Sequence, residues 1–145
     1  MNTWKLTFPD TALFECVLHI RVSDLNYGNH LGNDRIVGLL HEARMQFLRT
    51  FGYTEMNIDG VGLILRDLSV ELKKEMFYGD RLRIEIAVPE WSATGFRMVY
   101  RVWRTEETEE VVTALAHTTL ICFDYNSKKP VRIPENLLAH RFQST

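Results

Sequence analysis

The residues best suited to chemistry are crowded into one stretch, Arg21-Val-Ser-Asp-Leu-Asn-Tyr-Gly-Asn-His-Leu-Gly-Asn-Asp34, which holds two Asp, three Asn, one His and two Gly. It runs straight into a segment with helical spacing. A polar, Gly-containing loop at a helix N-terminus presents backbone N–H groups without partners and the positive end of the helix dipole. Such a place holds an anion, or a carbonyl oxygen that becomes one. The carboxylates of Asp24 and Asp34, the imidazole of His30 and the carboxamide of Asn26 are the types that move protons or orient water. The same residues also suit a tight turn and a helix cap, so a purely structural reading stands beside the chemical one.

The elements that must position this loop can be read around it. Phe14 to Val22 reads as a strand, with Phe14, Cys16, Leu18 and Ile20 on one face. From Asp34 to Phe51, apolar residues fall at Ile36, Val37, Leu39, Leu40, Ala43, Phe47 and Leu48, the spacing of one long helix. Its wide apolar arc predicts a helix largely enclosed by other structure. Asn33 reads as the N-cap and Gly52 as the C-terminal stop. Glu42 falls eight residues after Asp34, on the same face two turns along. Strands follow at Gly62 to Lys73, Arg81 to Val88, Phe96 to Trp103 and Val111 to Phe123, with a turn at Tyr78-Gly-Asp80. Lys128 to Pro134 reads as an extended tail, followed by a short helix at Glu135 to His140.

This order predicts an α+β domain, a single unit over residues 1–145, with the helix against one face of an antiparallel sheet that curls around it. The opposite face would be mixed, with Arg81, Arg83, Glu85, Arg101 and Arg104. Open strand edges invite a second copy, so a dimer is expected.

Composition excludes several classes. The chain has 145 residues, is 46% hydrophobic and 25% charged, and carries a net charge of −2. That balance fits a soluble globular protein and argues against nucleic acid or an anionic membrane as partner. No apolar run reaches the ~20 residues of a membrane span, and the first ten residues do not read as a secretory signal. Cys16 and Cys122 lack metal-ligand spacing and read as buried thiols in a reducing cytoplasm. No metal or cofactor is expected.

One long helix wrapped by a five- to six-stranded antiparallel sheet resembles the hotdog fold. Asp24-Leu-Asn-Tyr-Gly-Asn-His-Leu-Gly-Asn-Asp-Arg35 resembles the Asp-x-Asp-x-x-x-His-Val-Asn-Asn motif of hotdog thioesterases related to 4-hydroxybenzoyl-CoA and acyl-ACP thioesterases. His41-Glu-Ala-Arg44, Tyr78-Gly-Asp-Arg-Leu82 and Arg132-Ile-Pro-Glu135 also resemble that family. The resemblance implies hydrolysis of an acyl-CoA thioester to free acid and CoA, in a homodimer or homotetramer, with the thioester at the dimer interface and its carbonyl polarised by the helix N-terminus. It places Asn26 where the family has its catalytic carboxylate, and Gly28 at the carboxamide position of acyl-ACP thioesterases. Gly32 replaces the first residue of the Asn-Asn pair; Asn33 and His30 are kept. A carboxamide cannot accept a proton near neutral pH, so the family's carboxylate route does not carry over unchanged.

The expected roles are therefore as follows. Backbone N–H groups around Gly32, Asn33 and Asp34 polarise the carbonyl. Asn26 orients water or substrate, Asp24 or Asp34 activates the water, and His30 positions the loop or assists proton transfer. Glu42 joins the substrate-binding set. Arg66, Lys73, Lys74, Arg97, Arg101 and Arg104 read as solvated charges, with contacts to CoA phosphates as the alternative. Two other functions compete: an acyl-CoA binding module that has lost its base, and a hydratase or dehydratase on the same fold.

Overall fold

The computed structural model describes residues 6–143. The first five residues, part of the N-terminal stretch read above for a targeting signal, lie outside the described residues, as do the last two. The elements are β1 (Phe14–His19), a 3₁₀ turn (Val22–Asp24), α1 (Arg35–Arg49), β2 (Gly62–Leu72), β3 (Arg81–Trp91), β4 (Gly95–Glu106), β5 (Glu109–Asp124), β6 (Lys129–Pro130) and α2 (Glu135–His140). The strands form one antiparallel sheet in the order β1-β3-β4-β5-β2, with β6 paired to β5. One long helix against a six-stranded sheet is the hotdog arrangement that the resemblance implies. Among the described residues no helix is long and apolar enough to cross a membrane.

Alternation along the strands decides which face is covered. Leu82, Ile84 and Ile86 of β3, Met98, Tyr100 and Val102 of β4, and Ala114 and Ala116 of β5 are buried. Against them α1 sets Ile36, Leu39, Leu40, Ala43, Phe47 and Leu48. Each large apolar side chain so buried contributes about 1.5–3 kcal/mol. The helix is less enclosed than its apolar arc suggests. Asn33, Asp34, Arg35, Gly38, His41 and Glu42 remain exposed on its outer face.

The opposite sheet face is the mixed surface expected. Arg83 bridges Glu15 and Glu110 at 2.9 and 2.8 Å, and Arg101 reaches Glu85 at 2.7 Å. Trp103 lies beneath both guanidinium groups.

Element ends differ from the sequence reading for local reasons. β1 stops at His19 and turns through Val22–Asp24, because the Asp24 carboxylate accepts the Arg21 N–H at 2.9 Å and closes a turn. β3 continues past Pro89 to Trp91. Its β1 partner runs out at Phe14, opposite Ile86, and on the β4 side Pro89 falls in the register shift between Ala87 and Glu90, so it occupies no paired ladder position.

One irregularity positions the site. In β5 an extra residue, Thr113, falls where the β4–β5 register shifts. Its carbonyl accepts the N–H groups of Lys73 and Lys74 at 2.8 and 3.2 Å. This turns the chain out of β2 and launches the segment 73–80. Phe77 and Asp80 close that segment, and Gly79 holds the positive φ of +83° that the turn requires.

Candidate active site at the helix N-terminus

The polar loop is folded on itself by Asn26. Its Oδ1 accepts the Gly28 N–H at 2.8 Å and the His30 N–H at 3.4 Å, while the Asn26 backbone N–H donates to the His30 carbonyl at 2.9 Å. Asn29 takes a left-handed conformation at φ 64°, which Asn tolerates better than most residues. With Oδ1 committed, the Asn26 Nδ2 group faces His30 Nδ1 at 3.5 Å. A carboxamide nitrogen only donates, so Nδ1 accepts and the ring proton resides on Nε2.

The start of α1 differs from expectation. Asn33 makes no capping bond, and the backbone of Asp34 is already helical at φ −78°, ψ −29°. The helix hangs instead on the Gly32 carbonyl, which accepts from Arg35 N–H at 3.0 Å and Ile36 N–H at 3.2 Å. A residue without a side chain at the cap leaves the first N–H groups open. Those of Asn33 and Asp34 have no partner among the described residues. Gly32 itself is tied down by its own N–H to the Asp24 carbonyl at 3.0 Å.

The candidate residues divide between two sides of this helix end. A cleft of about 180 Å³ is lined by His30, Gly32, Asn33, Ile36, Lys74 and Glu75. A larger, open groove of about 610 Å³ runs between α1 and β1 and takes in Asp24, Asp34, Gly38 and Glu42. The i, i+4, i+8 spacing of Asp34, Gly38 and Glu42 does place them along one groove. Asn26 lines neither. Asp24 is 5% exposed, Asp34 is freely exposed with Arg35 at 3.7 Å, and Glu42 accepts from Gln46 at 3.5 Å. Gly38 has no heavy atom within 4 Å of where a Cβ would stand, so it opens space and does not serve close helix–sheet packing. Size favours the groove, but the imidazole and the cap residue Gly32 meet only in the cleft.

Residues 20–140 match the family model of the thioesterase-like superfamily. The chain belongs to that superfamily. It is 25% identical over 105 residues to a 1,4-dihydroxy-2-naphthoyl-CoA hydrolase of Microcystis aeruginosa, covering 70% of this chain and 73% of that protein. It is 33% identical over 99 residues to a candidate esterase of Aquifex aeolicus, covering 67% and 73%. A 1,4-dihydroxy-2-naphthoyl-CoA thioesterase from Synechocystis has the same fold, with a TM-score of 0.76 at 20% identity over 87% of this chain and 93% of that one.

Several features of this thioesterase-like domain had no signal in the sequence. Glu75 comes from the segment after β2, yet its Oε1 lies 3.9 Å from His30 Nε2. Backbone pairing explains this: His30 bridges Phe77, and the Leu31 N–H donates to the Met76 carbonyl at 2.7 Å. Only the Tyr78-Gly-Asp80 turn hinted that this segment doubles back. A second feature is the buried Arg44. It donates to Glu55 at 2.9 Å and to the Tyr100 hydroxyl at 3.1 Å, and Tyr100 meets Thr118 at 2.8 Å. Burial pushes the Tyr100 phenol above its ordinary range, against the pull of the Arg44 charge.

Of the surface cations, Lys73, Arg97, Arg101 and Arg104 pair with Glu71, Glu90, Glu85 and Glu106. Lys74 and Arg66 form no ion pair among the described residues. Burial, helped by Glu42 and Glu15, raises the Cys16 thiol to about 11, and burial alone raises Cys122 to about 11. Neither is a ready nucleophile. Among the described residues no group of three or more His, Cys, Asp or Glu is placed to hold a metal.

Proposed function

We propose that this domain hydrolyses an acyl-CoA thioester to the free acid and CoA at the cleft beside the N-terminus of α1. The observation that carries the reading is the cap at Gly32. It leaves the N–H groups of Asn33 and Asp34 open on the same loop that presents His30. An oxyanion forming at the thioester carbonyl would meet two fixed donors and the positive end of the helix dipole. A donor of this kind is worth about 10²–10³ in rate. The names of the relatives favour an acyl group of the aromatic type.

The same reading makes the protein a homodimer, or a pair of dimers. Among the described residues β2 is an edge strand of the sheet, and Leu65, Leu68 and Leu72 are exposed along it. Pairing of two β2 edges would cover that row and set the cleft, which Leu72 lines, beside the seam. The free cysteines Cys16 and Cys122 accord with a cytoplasmic enzyme.

A second reading keeps the reaction but moves it to the larger groove. A carboxylate as buried as Asp24, opening into that groove, favours it. Thiol release from a panel of acyl-CoAs, aliphatic and aromatic, tests both. Hydrolysis that survives Asp24→Asn but falls with His30→Ala supports the cleft, and the reverse supports the groove. No release from any substrate, alongside measurable acyl-CoA binding, would leave a binding module and sink the hydrolase.

A further inference from the structure

Asn26 stands where the family motif has its carboxylate, so thioester hydrolysis here needs a base from elsewhere. Three observations supply one. Asn26 holds the His30 ring through Nδ1, and the Nε2 edge, which lies over Gly28, faces the Glu75 carboxylate at 3.9 Å. That gap is too long for a hydrogen bond. It suits one water held at about 2.8 Å from each atom, accepting from Nε2–H and donating to Oε1. Finally, Glu75 is held in register. The Arg104 guanidinium donates to the Glu75 carbonyl, and the Leu31–Met76 and His30–Phe77 pairings stitch its segment to the His30 loop. Arg104 is in turn fixed by Glu106 at 3.0 Å.

We propose that Glu75 is the general base of this site, with His30 holding the attacking water and Asn26 setting the His30 tautomer. The assignment rests on the hydrolase reading above. The water oxygen attacks the thioester carbonyl carbon while its proton passes to Glu75 Oε1. The carbonyl electron pair moves onto oxygen, opposite the N–H groups of Asn33 and Asp34. When the tetrahedral intermediate collapses, the C–S bond breaks and the electron pair leaves with sulfur. Glu75 then returns its proton to that thiolate, so the carboxylate is regenerated and the products are the acid and the thiol. The carboxylate that the motif lacks at position 26 is replaced from a segment nearly fifty residues away.

The test compares wild type with Glu75→Gln, Glu75→Ala, Glu75→Asp and Asp24→Asn, using an acyl-CoA that wild type hydrolyses. Glu75 is largely exposed, so its variants should melt with wild type. Loss of a general base costs about 10²-fold or more in kcat with KM little changed. Glu75→Asp should recover part of that loss, and added formate should raise the rate of Glu75→Ala but not of wild type. A merely structural Glu75 would give no formate rescue. If Glu75→Gln stays within about threefold of wild type, the base is not Glu75 while the hydrolase reading survives. If instead Asp24→Asn carries the loss, the base lies in the larger groove. A wild type that releases no thiol from any acyl-CoA overturns both the hydrolase reading and this assignment.

Discussion

Replacing Arg44 by Met tests how the core of this domain tolerates a charge. The Arg44 side chain is 7% exposed and is shared between Glu55, on the 50–61 segment, and Tyr100, in the middle of β4. Removing one partner of a buried pair commonly costs 3–5 kcal/mol, because the other charge is stranded. Here neither partner is fully stranded. Glu55 is 25% exposed and keeps His41 at 3.0 Å, and Tyr100 keeps Thr118. What is lost is two hydrogen bonds from one guanidinium, to a carboxylate and to a phenol, partly offset by the partners that remain, so the expected cost is about 2–3 kcal/mol. For a domain of this size that lowers Tm by roughly 6–9 °C. Thermal and urea unfolding of Arg44→Met, Glu55→Gln and the double variant measure it. The pair should show a coupling of about 1–2 kcal/mol. If Arg44→Met lies within about 0.5 kcal/mol of wild type, or the cycle shows no coupling, the pair is at break-even with an apolar core. The Arg44–Glu55 pair would then not stabilise the packing of the 50–61 segment on α1.

Three further outcomes are expected. On the outer sheet face, burial works to raise the Glu85 carboxyl, but hydrogen bonds from Arg101 and Trp103 and the charges of Arg101 and Arg83 outweigh it and hold it low. Its stabilisation is therefore present above the unfolded carboxylate value of about 4.3 and lost as pH falls through the lower folded value. Glu85→Gln should cost about 1–2 kcal/mol at pH 7, and urea curves taken across pH should show the gap to wild type closing below pH 4; a gap unchanged at pH 3 would contradict it. Asn26→Asp would draw the ring proton to Nδ1 and present a lone pair to Glu75, so thiol release should fall about tenfold or more; a faster enzyme would mean that a carboxylate at position 26 serves as base in this fold and would contradict the expected dependence on the His30–Glu75 pair. Thiols held at about 11 by burial should leave Cys16 and Cys122 unmodified by a thiol-reactive dye in the native state at pH 7.5 and reactive in denaturant; rapid native labelling of Cys122 would contradict its burial.

The architecture was legible because it rests on period alone. The 3.6-residue spacing from Ile36 to Leu48 and the alternation of Leu82, Ile84 and Ile86 need no tertiary information. The helix start was misread for an instructive reason: Asn33 is a good cap by type, but the chain uses Gly32 and leaves the N–H groups open. Sequence spacing correctly put Asp34 and Glu42 on one helix face. It could not say that this face lies along the groove toward β1, while His30 turns into the opposite cleft. Glu75 was invisible, because its approach to His30 depends on Thr113 in β5 accepting from Lys73 and Lys74, a contact between distant segments with no periodic trace. The His41-Glu-Ala-Arg44 stretch was noticed, but nothing in it tells that Arg44 turns inward to a tyrosine on β4.

The aromatic side chains around Phe47 come from segments far apart in the sequence. Its ring stands 5.5 Å from that of Phe14 and 5.0 Å from that of Phe142, and Phe142 also touches Phe51, Trp91 and Phe96. The last turn is latched by His140, which meets the Tyr53 hydroxyl at 2.9 Å while its Nδ1 accepts the Phe142 N–H at 2.9 Å. During synthesis the apolar stripe of α1 therefore emerges long before the residues that seal it. Until Phe142 is in place the chain carries an open aromatic pit, and the β1–β3 and β2–β5 pairings join segments distant in sequence, the kind that form slowly. Phe142 acts as the closing stitch of a core that α1 opens far earlier in the chain.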